Sequence, residues 1–156
     1  MQLINRERYA DVIARCEKQR EHAALSATCL HILGTAQIRL GQFDASIEAL
    51  KCAAEKCAVD SDDGQSLAIL NELCKAYFSA RRYADAADLL ASLVDQHPQQ
   101  VELHRNLILV LEKANRLDDA TKRCESASRR WPDDEQLAFQ FGDLNMATET
   151  WTSAAE

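Results

Sequence analysis

The chain has 156 residues, of which 47% are hydrophobic and 28% are charged, enough for one domain with a buried core. It contains only 4 Gly and 2 Pro, too few turn formers for a β-sandwich or barrel. The formal net charge is −7, and nucleic-acid binders need clustered positive charge, so we expect no nucleic-acid partner. The sequence has no apolar run long enough for a membrane span and no signal peptide, so we expect a cytoplasmic protein.

Hydrophobic spacing and helix-breaking residues predict nine helices joined by short turns. Ser26 is the expected N-cap of the second helix and Asp133 that of the eighth, because a side-chain oxygen there can accept a hydrogen bond from a free amide. Pro98 and Pro132 fall in predicted turns. The predicted helices span residues 3–22, 26–40, 43–58, 65–80, 83–96, 99–114, 117–130, 134–147 and 150–156.

An internal repeat is the strongest signal in the sequence. A large residue followed by small or polar ones recurs at spacings of 34, 40, 34 and 34 residues. Pro98 and Pro132 are also 34 residues apart, as are Leu73 and Leu107. Since independent markers share one period, the chain is predicted to repeat a helix pair. The recurring large residues are Tyr9, Phe43, Tyr83, Leu117 and Trp151.

This period and its residue types resemble the tetratricopeptide repeat, a helix–turn–helix unit. The matching positions in residues 67–100 are Leu70, Leu73, Cys74, Tyr77, Ala86, Leu90, Leu93 and Pro98. The consensus Trp is missing from every repeat. The resemblance implies an all-α fold, a right-handed superhelical solenoid of antiparallel helix pairs. Within one domain, 1–156, it implies full repeats at 27–66, 67–100 and 101–134 and half-units at 1–26 and 135–156.

Two cysteines are predicted to lie in the core. Cys16 and Cys124 each follow a large repeat residue by seven positions, or two helical turns, which places them on the same buried stripe. Small residues such as Gly34 are expected where two helices approach closely. Because the sequence has no CxxC pair, we expect reduced thiols, no metal site and no cofactor.

In a solenoid of this kind the first helix of each pair lines an inner groove, which suits an extended peptide or a partner helix. Lys75 and Arg105 could hold an acidic or carbonyl group of a bound segment beside Asn106. Alternatively, they pair with Glu72 and Glu102, each three residues earlier on its helix. The candidate partner-binding residues are His31, Thr35, Asn71, Lys75, Phe78, Arg105, Asn106, Leu109 and Gln140.

Known catalytic motifs are missing from the sequence, and its histidines are scattered. His31 and His104 are expected to line the groove as polar residues rather than to act as bases. Some tetratricopeptide proteins use groove cations to clamp the terminal carboxylates of heat-shock chaperones. Here Glu72 and Glu102 occupy places where that clamp needs cations, so a chaperone clamp is not expected.

We therefore expect a non-catalytic scaffold that binds another protein or peptide in its groove. One alternative is a substrate-recruiting accessory domain of a larger enzyme, such as a glycosyltransferase. Another is a self-associating module that forms a homo-oligomer through its end helices, because Leu3, Ile4 and Ile13 lack the partner helix that the repeat would supply.

Overall fold

The computed structural model describes the backbone of residues 2–22, 25–60 and 63–154, and the side chains of 6–18, 25–57 and 64–146. All regular secondary structure in these ranges is α-helical, which confirms the expected all-α class. Within the same ranges, no helix combines the length and the apolar character needed to cross a membrane. The helices are α1 (Gln2–His22), α2 (Ala27–Leu40), α3 (Phe43–Asp60), α4 (Asp63–Ser79), α5 (Tyr83–Gln96), α6 (Val101–Lys113), α7 (Leu117–Arg130) and α8 (Glu135–Ala154).

The predicted eighth and ninth helices are one continuous helix, α8, of 20 residues. The predicted break between residues 147 and 150 is therefore wrong. That stretch reads Ala-Thr-Glu-Thr, without Gly, Pro or Asn, so nothing in it stops a helix. The break depended on Trp151 as a repeat marker, and the side chain of Trp151 lies outside the described residues.

The chain divides into two compact units, the N-terminal lobe (Met1–Arg82) and the C-terminal lobe (Tyr83–Glu156). In the N-terminal lobe each helix from α1 to α4 packs on the next, and α2 also contacts α4. In the C-terminal lobe α5 to α8 pack in the same order, and α6 also contacts α8. Contacts between alternate helices are what stack one helix pair on the next in repeat proteins.

One turn geometry recurs after α2, α4 and α6. Its central residue has a left-handed backbone, with φ of 77° at Gly41 and 59° at both Arg81 and Asn115. In each turn the next residue's amide donates to a carbonyl five residues earlier, which satisfies an otherwise free group at the helix end. These bonds join Gln42 to Gln37, Arg82 to Tyr77 and Arg116 to Leu111, each at 2.9 Å. The turns thus recur with the sequence repeat.

Gly34 marks the closest approach of α2 and α3. A Cβ placed on Gly34 would lie 2.5 Å from Cγ of Leu50, far inside van der Waals contact. The buried Ser46 hydroxyl donates to the Gly34 carbonyl oxygen at 2.8 Å. The expectation that Gly34 allows two helices to pack closely is confirmed.

The repeat markers also identify the core. Leu73, Leu107, Cys16 and Cys124 are all buried, as predicted. Ile13 is buried as well, and α1 packs against α2, so the expectation that Ile13 lacks a partner helix is wrong. The side chains of Leu3 and Ile4, which carried the same expectation, lie outside the described residues.

Candidate functional site

A cavity of about 720 Å³ lies between α6 and α8 in the C-terminal lobe, and we call it the α6–α8 groove. It brings together Arg105, Asn106, Leu109 and Gln140, all candidate binding residues from the sequence. The complete lining is Glu102, Arg105, Asn106, Leu109, Glu135, Gln136, Phe139 and Gln140.

Helical periodicity explains why these side chains share one surface. On α6 the lining residues follow a spacing of three or four positions, which keeps them on one face. The opposite face of α6 carries the buried Leu103 and Leu107, and α8 buries Leu137 and Leu144. The core contacts therefore fix the rotation of both helices and aim the groove residues outward.

Arg105 is held by two carboxylates. Its Nη1 lies 3.2 Å from Oδ2 of Asp134, and its Nη2 lies 3.2 Å from Oε1 of Glu102. The Arg105 and Asp134 side chains are only 21% and 16% exposed, so this pair is shielded from solvent more than an ordinary surface pair. Arg105 thus links α6 to the start of α8, and each of its two terminal nitrogens contacts a carboxylate.

Asp134 also caps α8. Its Oδ1 accepts a hydrogen bond at 3.0 Å from the amide of Leu137, three residues later in the chain. The prediction that Asp133 caps this helix is wrong by one residue, because Asp134 is the residue that can reach both the helix amide and Arg105. Ser26 caps α2 as predicted, accepting from the Cys29 amide at 3.2 Å.

The Gln140 side chain is held in one orientation. Its Nε2 donates to the Arg105 carbonyl oxygen at 3.3 Å, and the reverse orientation would place two oxygens together. Its Oε1 is buried and has no hydrogen-bond partner. An unsatisfied buried acceptor is costly to the stability of the fold.

Phe139 gives the groove an apolar surface. Its side chain is 71% exposed, an unusual state for a large hydrophobic residue. It lines the groove together with the half-buried Leu109 and the amides of Asn106 and Gln136. An exposed aromatic residue among hydrogen-bonding groups is typical of a protein-binding surface.

The remaining candidate residues lie on α2 and α4 of the N-terminal lobe. His31, Thr35, Asn71 and Phe78 are half-buried, and the Thr35 hydroxyl donates to the His31 carbonyl oxygen at 2.9 Å. Lys75 is exposed, and its Nζ lies 2.7 Å from Oε1 of Glu72. Lys75 and Glu72 therefore form the ion pair that the sequence offered as the alternative to ligand binding by Lys75. The expected convergence of Lys75 with Arg105 stays a prediction.

His104 is not among the residues that line the α6–α8 groove. Its ring packs edge-on against Trp131, with centroids 4.9 Å apart, and its Nε2 lies 3.3 Å from the Pro98 carbonyl oxygen. Burial lowers its pKa from the ordinary 6.5, and the positive charges of Arg130 and Arg123 act in the same direction. Its position follows from α6–α7 packing.

A second cavity, of about 390 Å³, lies among α5, α6 and α7. Ala87, Ala91 and the buried Leu107 form part of its wall, and the exposed cations Lys122 and Arg123 lie at its edge. The lining of this cavity also includes Asp88, Arg116 and Asp119, so it carries three cations and two carboxylates, whereas the α6–α8 groove carries two carboxylates and one cation.

The buried thiols show no sign of redox or metal chemistry. Burial raises the pKa of Cys74 to about 12 and also raises the pKa values of Cys16 and Cys124, which disfavours the reactive thiolate. Within the part of the chain that the structure describes, no three His, Cys, Asp or Glu side chains are grouped to hold a metal ion.

Comparisons with known proteins agree with this fold. Residues 77–141 match the family model of the tetratricopeptide repeat. A MamA structure from Desulfovibrio magneticus RS-1, residues 41 to the end, is 14% identical with a TM-score of 0.67, covering 97% of this chain and 89% of that one. MamA AMB-1 is 22% identical with a TM-score of 0.62, covering 96% and 89%.

A kinesin light chain-type protein of Podosopora anserina with nearly identical TPR-like repeats is 16% identical, with a TM-score of 0.74, covering 99% of this chain and 88% of that one. At such identities the likeness shows the fold alone. A comparison with curated protein sequences found no match. The resemblance to tetratricopeptide repeats is confirmed, and the chain has a tetratricopeptide-type fold of α-helix pairs.

Proposed function

We propose that the protein is a non-catalytic scaffold that binds a segment of another protein in the α6–α8 groove. The observation that carries this proposal is the exposed Phe139 beside Leu109, within a cavity otherwise lined by amides and charged groups. Such a surface can bury an apolar anchor and hydrogen-bond a peptide backbone. The tetratricopeptide-type fold supports the same conclusion, since its repeats commonly present binding surfaces.

We extend the proposal to the N-terminal lobe, where the candidate residues for binding a partner are His31, Thr35, Asn71, Lys75 and Phe78. A cytoplasmic location is also part of it, supported by buried thiols that suit a reducing compartment. Recruitment of a substrate for a larger enzyme and self-association through the end helices stay predictions.

A comparison of two matched variants tests the proposal. Phe139 and Met146 are both exposed apolar residues of α8, at 71% and 69%, but only Phe139 lines the groove. Proteins captured from a lysate by the intact chain are identified, and their affinities are measured against Phe139→Ala and Met146→Ala. We expect Phe139→Ala to weaken the partner by more than about tenfold, or 1.4 kcal/mol, and Met146→Ala to have little effect. Unchanged affinity of a folded Phe139→Ala variant would overturn the proposal.

A further inference from the structure

The charged groups of the α6–α8 groove are unbalanced. Arg105 is the lining cation, and its guanidinium already contacts Asp134 and Glu102. Glu135, which also lines the groove, is exposed. The lining therefore holds two carboxylates, those of Glu102 and Glu135, and one guanidinium, so the groove carries net negative charge. A cation on the partner would gain electrostatic attraction here, whereas an acidic group would be repelled.

The hydrogen-bonding groups of the groove favour the same kind of partner. Glu102 is 68% exposed despite its contact with Arg105, so its carboxylate can still accept further bonds. Glu102 and the exposed Glu135 thus offer carboxylate acceptors in the groove, while both terminal nitrogens of Arg105 already contact a carboxylate. Lys or Arg side chains of a bound segment supply donors for these carboxylates.

We infer that the α6–α8 groove selects a basic protein segment, one in which Lys or Arg flanks a large apolar side chain. The apolar side chain packs on Phe139 and Leu109, and the cations lie against Glu102 and Glu135. This inference depends on the proposed function, because it specifies the partner of the same groove. It differs from the hypothesis drawn from the sequence, in which Lys75 and Arg105 hold an acidic or carbonyl group of a bound segment.

Selection from a pool of random dodecapeptides tests the inference without knowledge of the natural partner. The full chain is immobilised, retained peptides are sequenced, and their mean net charge is compared with that of the input pool. We expect Lys and Arg to be enriched about twofold, together with an aromatic or aliphatic residue. The double variant Glu102→Gln, Glu135→Gln is expected to lose the enrichment of Lys and Arg.

Two further variants complete the design. Lys122→Gln, Arg123→Gln changes the net charge by the same amount in the opposite direction, but at the second cavity, and it is expected to keep the wild-type selection. Phe139→Ala is expected to lose retention of all peptides. Circular dichroism verifies that each variant is folded. If the double variant is unfolded, the single variant Glu135→Gln replaces it in the selection, because Glu135 lines the groove without an ion pair to Arg105.

The outcomes separate this inference from the proposed function. Retention of acidic or uncharged peptides that Phe139→Ala abolishes would overturn the charge preference and leave the groove as the binding surface. No retention, or retention that survives Phe139→Ala, would overturn both. Enrichment of basic peptides that survives neutralisation of Glu102 and Glu135 would also refute the inference, because these carboxylates would not be its cause.

Discussion

Replacing Asp134 by Ala should destabilise the C-terminal lobe through two separate contacts. The side chain caps α8 by accepting from the Leu137 amide at 3.0 Å, and loss of an N-cap costs about 1 kcal/mol. It also lies 3.2 Å from Arg105 in a pair whose side chains are 21% and 16% exposed. Losing this partly buried partner costs about 1–2 kcal/mol, between the values for exposed and buried pairs. The expected decrease in unfolding free energy is therefore about 2–3 kcal/mol.

Urea unfolding followed by circular dichroism measures this decrease, and hydrogen exchange locates it in α8. Asp134→Asn keeps a capping acceptor but loses the charge, so it should cost about 1 kcal/mol. Asp133→Ala is the matched control, because Asp133 is exposed and adjacent, and it should change stability by less than about 0.5 kcal/mol. If Asp133→Ala cost as much as Asp134→Ala, the assignment of the cap and of the Arg105 contact would be refuted.

Three other predictions concern stability and reactivity. Arg81→Gly should raise the unfolding free energy by about 0.5–1 kcal/mol, since φ of 59° strains a side-chain-bearing residue, whereas Gly41→Ala at φ of 77° should lower it. A destabilised Arg81→Gly or a stabilised Gly41→Ala in urea unfolding would contradict this. Because burial lowers the pKa of His104, the unfolded chain binds more protons below the ordinary pKa of 6.5. Stability should thus fall as pH drops from about 7.5 to about 5.5, and an equal drop in His104→Gln would exclude His104 as the cause. Burial raises the pKa of Cys74 to about 12, so iodoacetamide at about pH 8 should alkylate the exposed Cys52 first; equal rates in the folded protein would contradict the burial of Cys74.

The repeat period predicted helices and core well, because the same packing contacts recur at the same positions. Leu73 and Leu107 are equivalent positions in the period, and both are buried. Gly34 could be assigned to a close approach since its small size matters only there. The end of α8 was not predictable in this way, because Trp151 fits the period although no helix-breaking residue precedes it.

The charge of the groove was harder to predict than its position. Spacing on a helix places Arg105 and Asn106 on one face, but the contact that occupies Arg105 comes from Asp134, 29 residues later. Two adjacent aspartates, Asp133 and Asp134, are equally good caps in the sequence, and only the packing of α8 beside α6 decides between them. The charge that the groove presents to a ligand therefore depends on a contact between helices that the sequence pattern does not contain.

Hydrogen exchange of the full chain, with and without a bound partner, tests most directly whether the α6–α8 groove is the binding surface. The partner is a protein whose capture requires Phe139. We predict that bound partner slows exchange in α6 around residues 102–109 and in α8 around residues 135–143, and leaves α7 unchanged. Slowed exchange in α7 or in α1, with α6 and α8 unaffected, would contradict the central claim and move the binding surface elsewhere on the molecule.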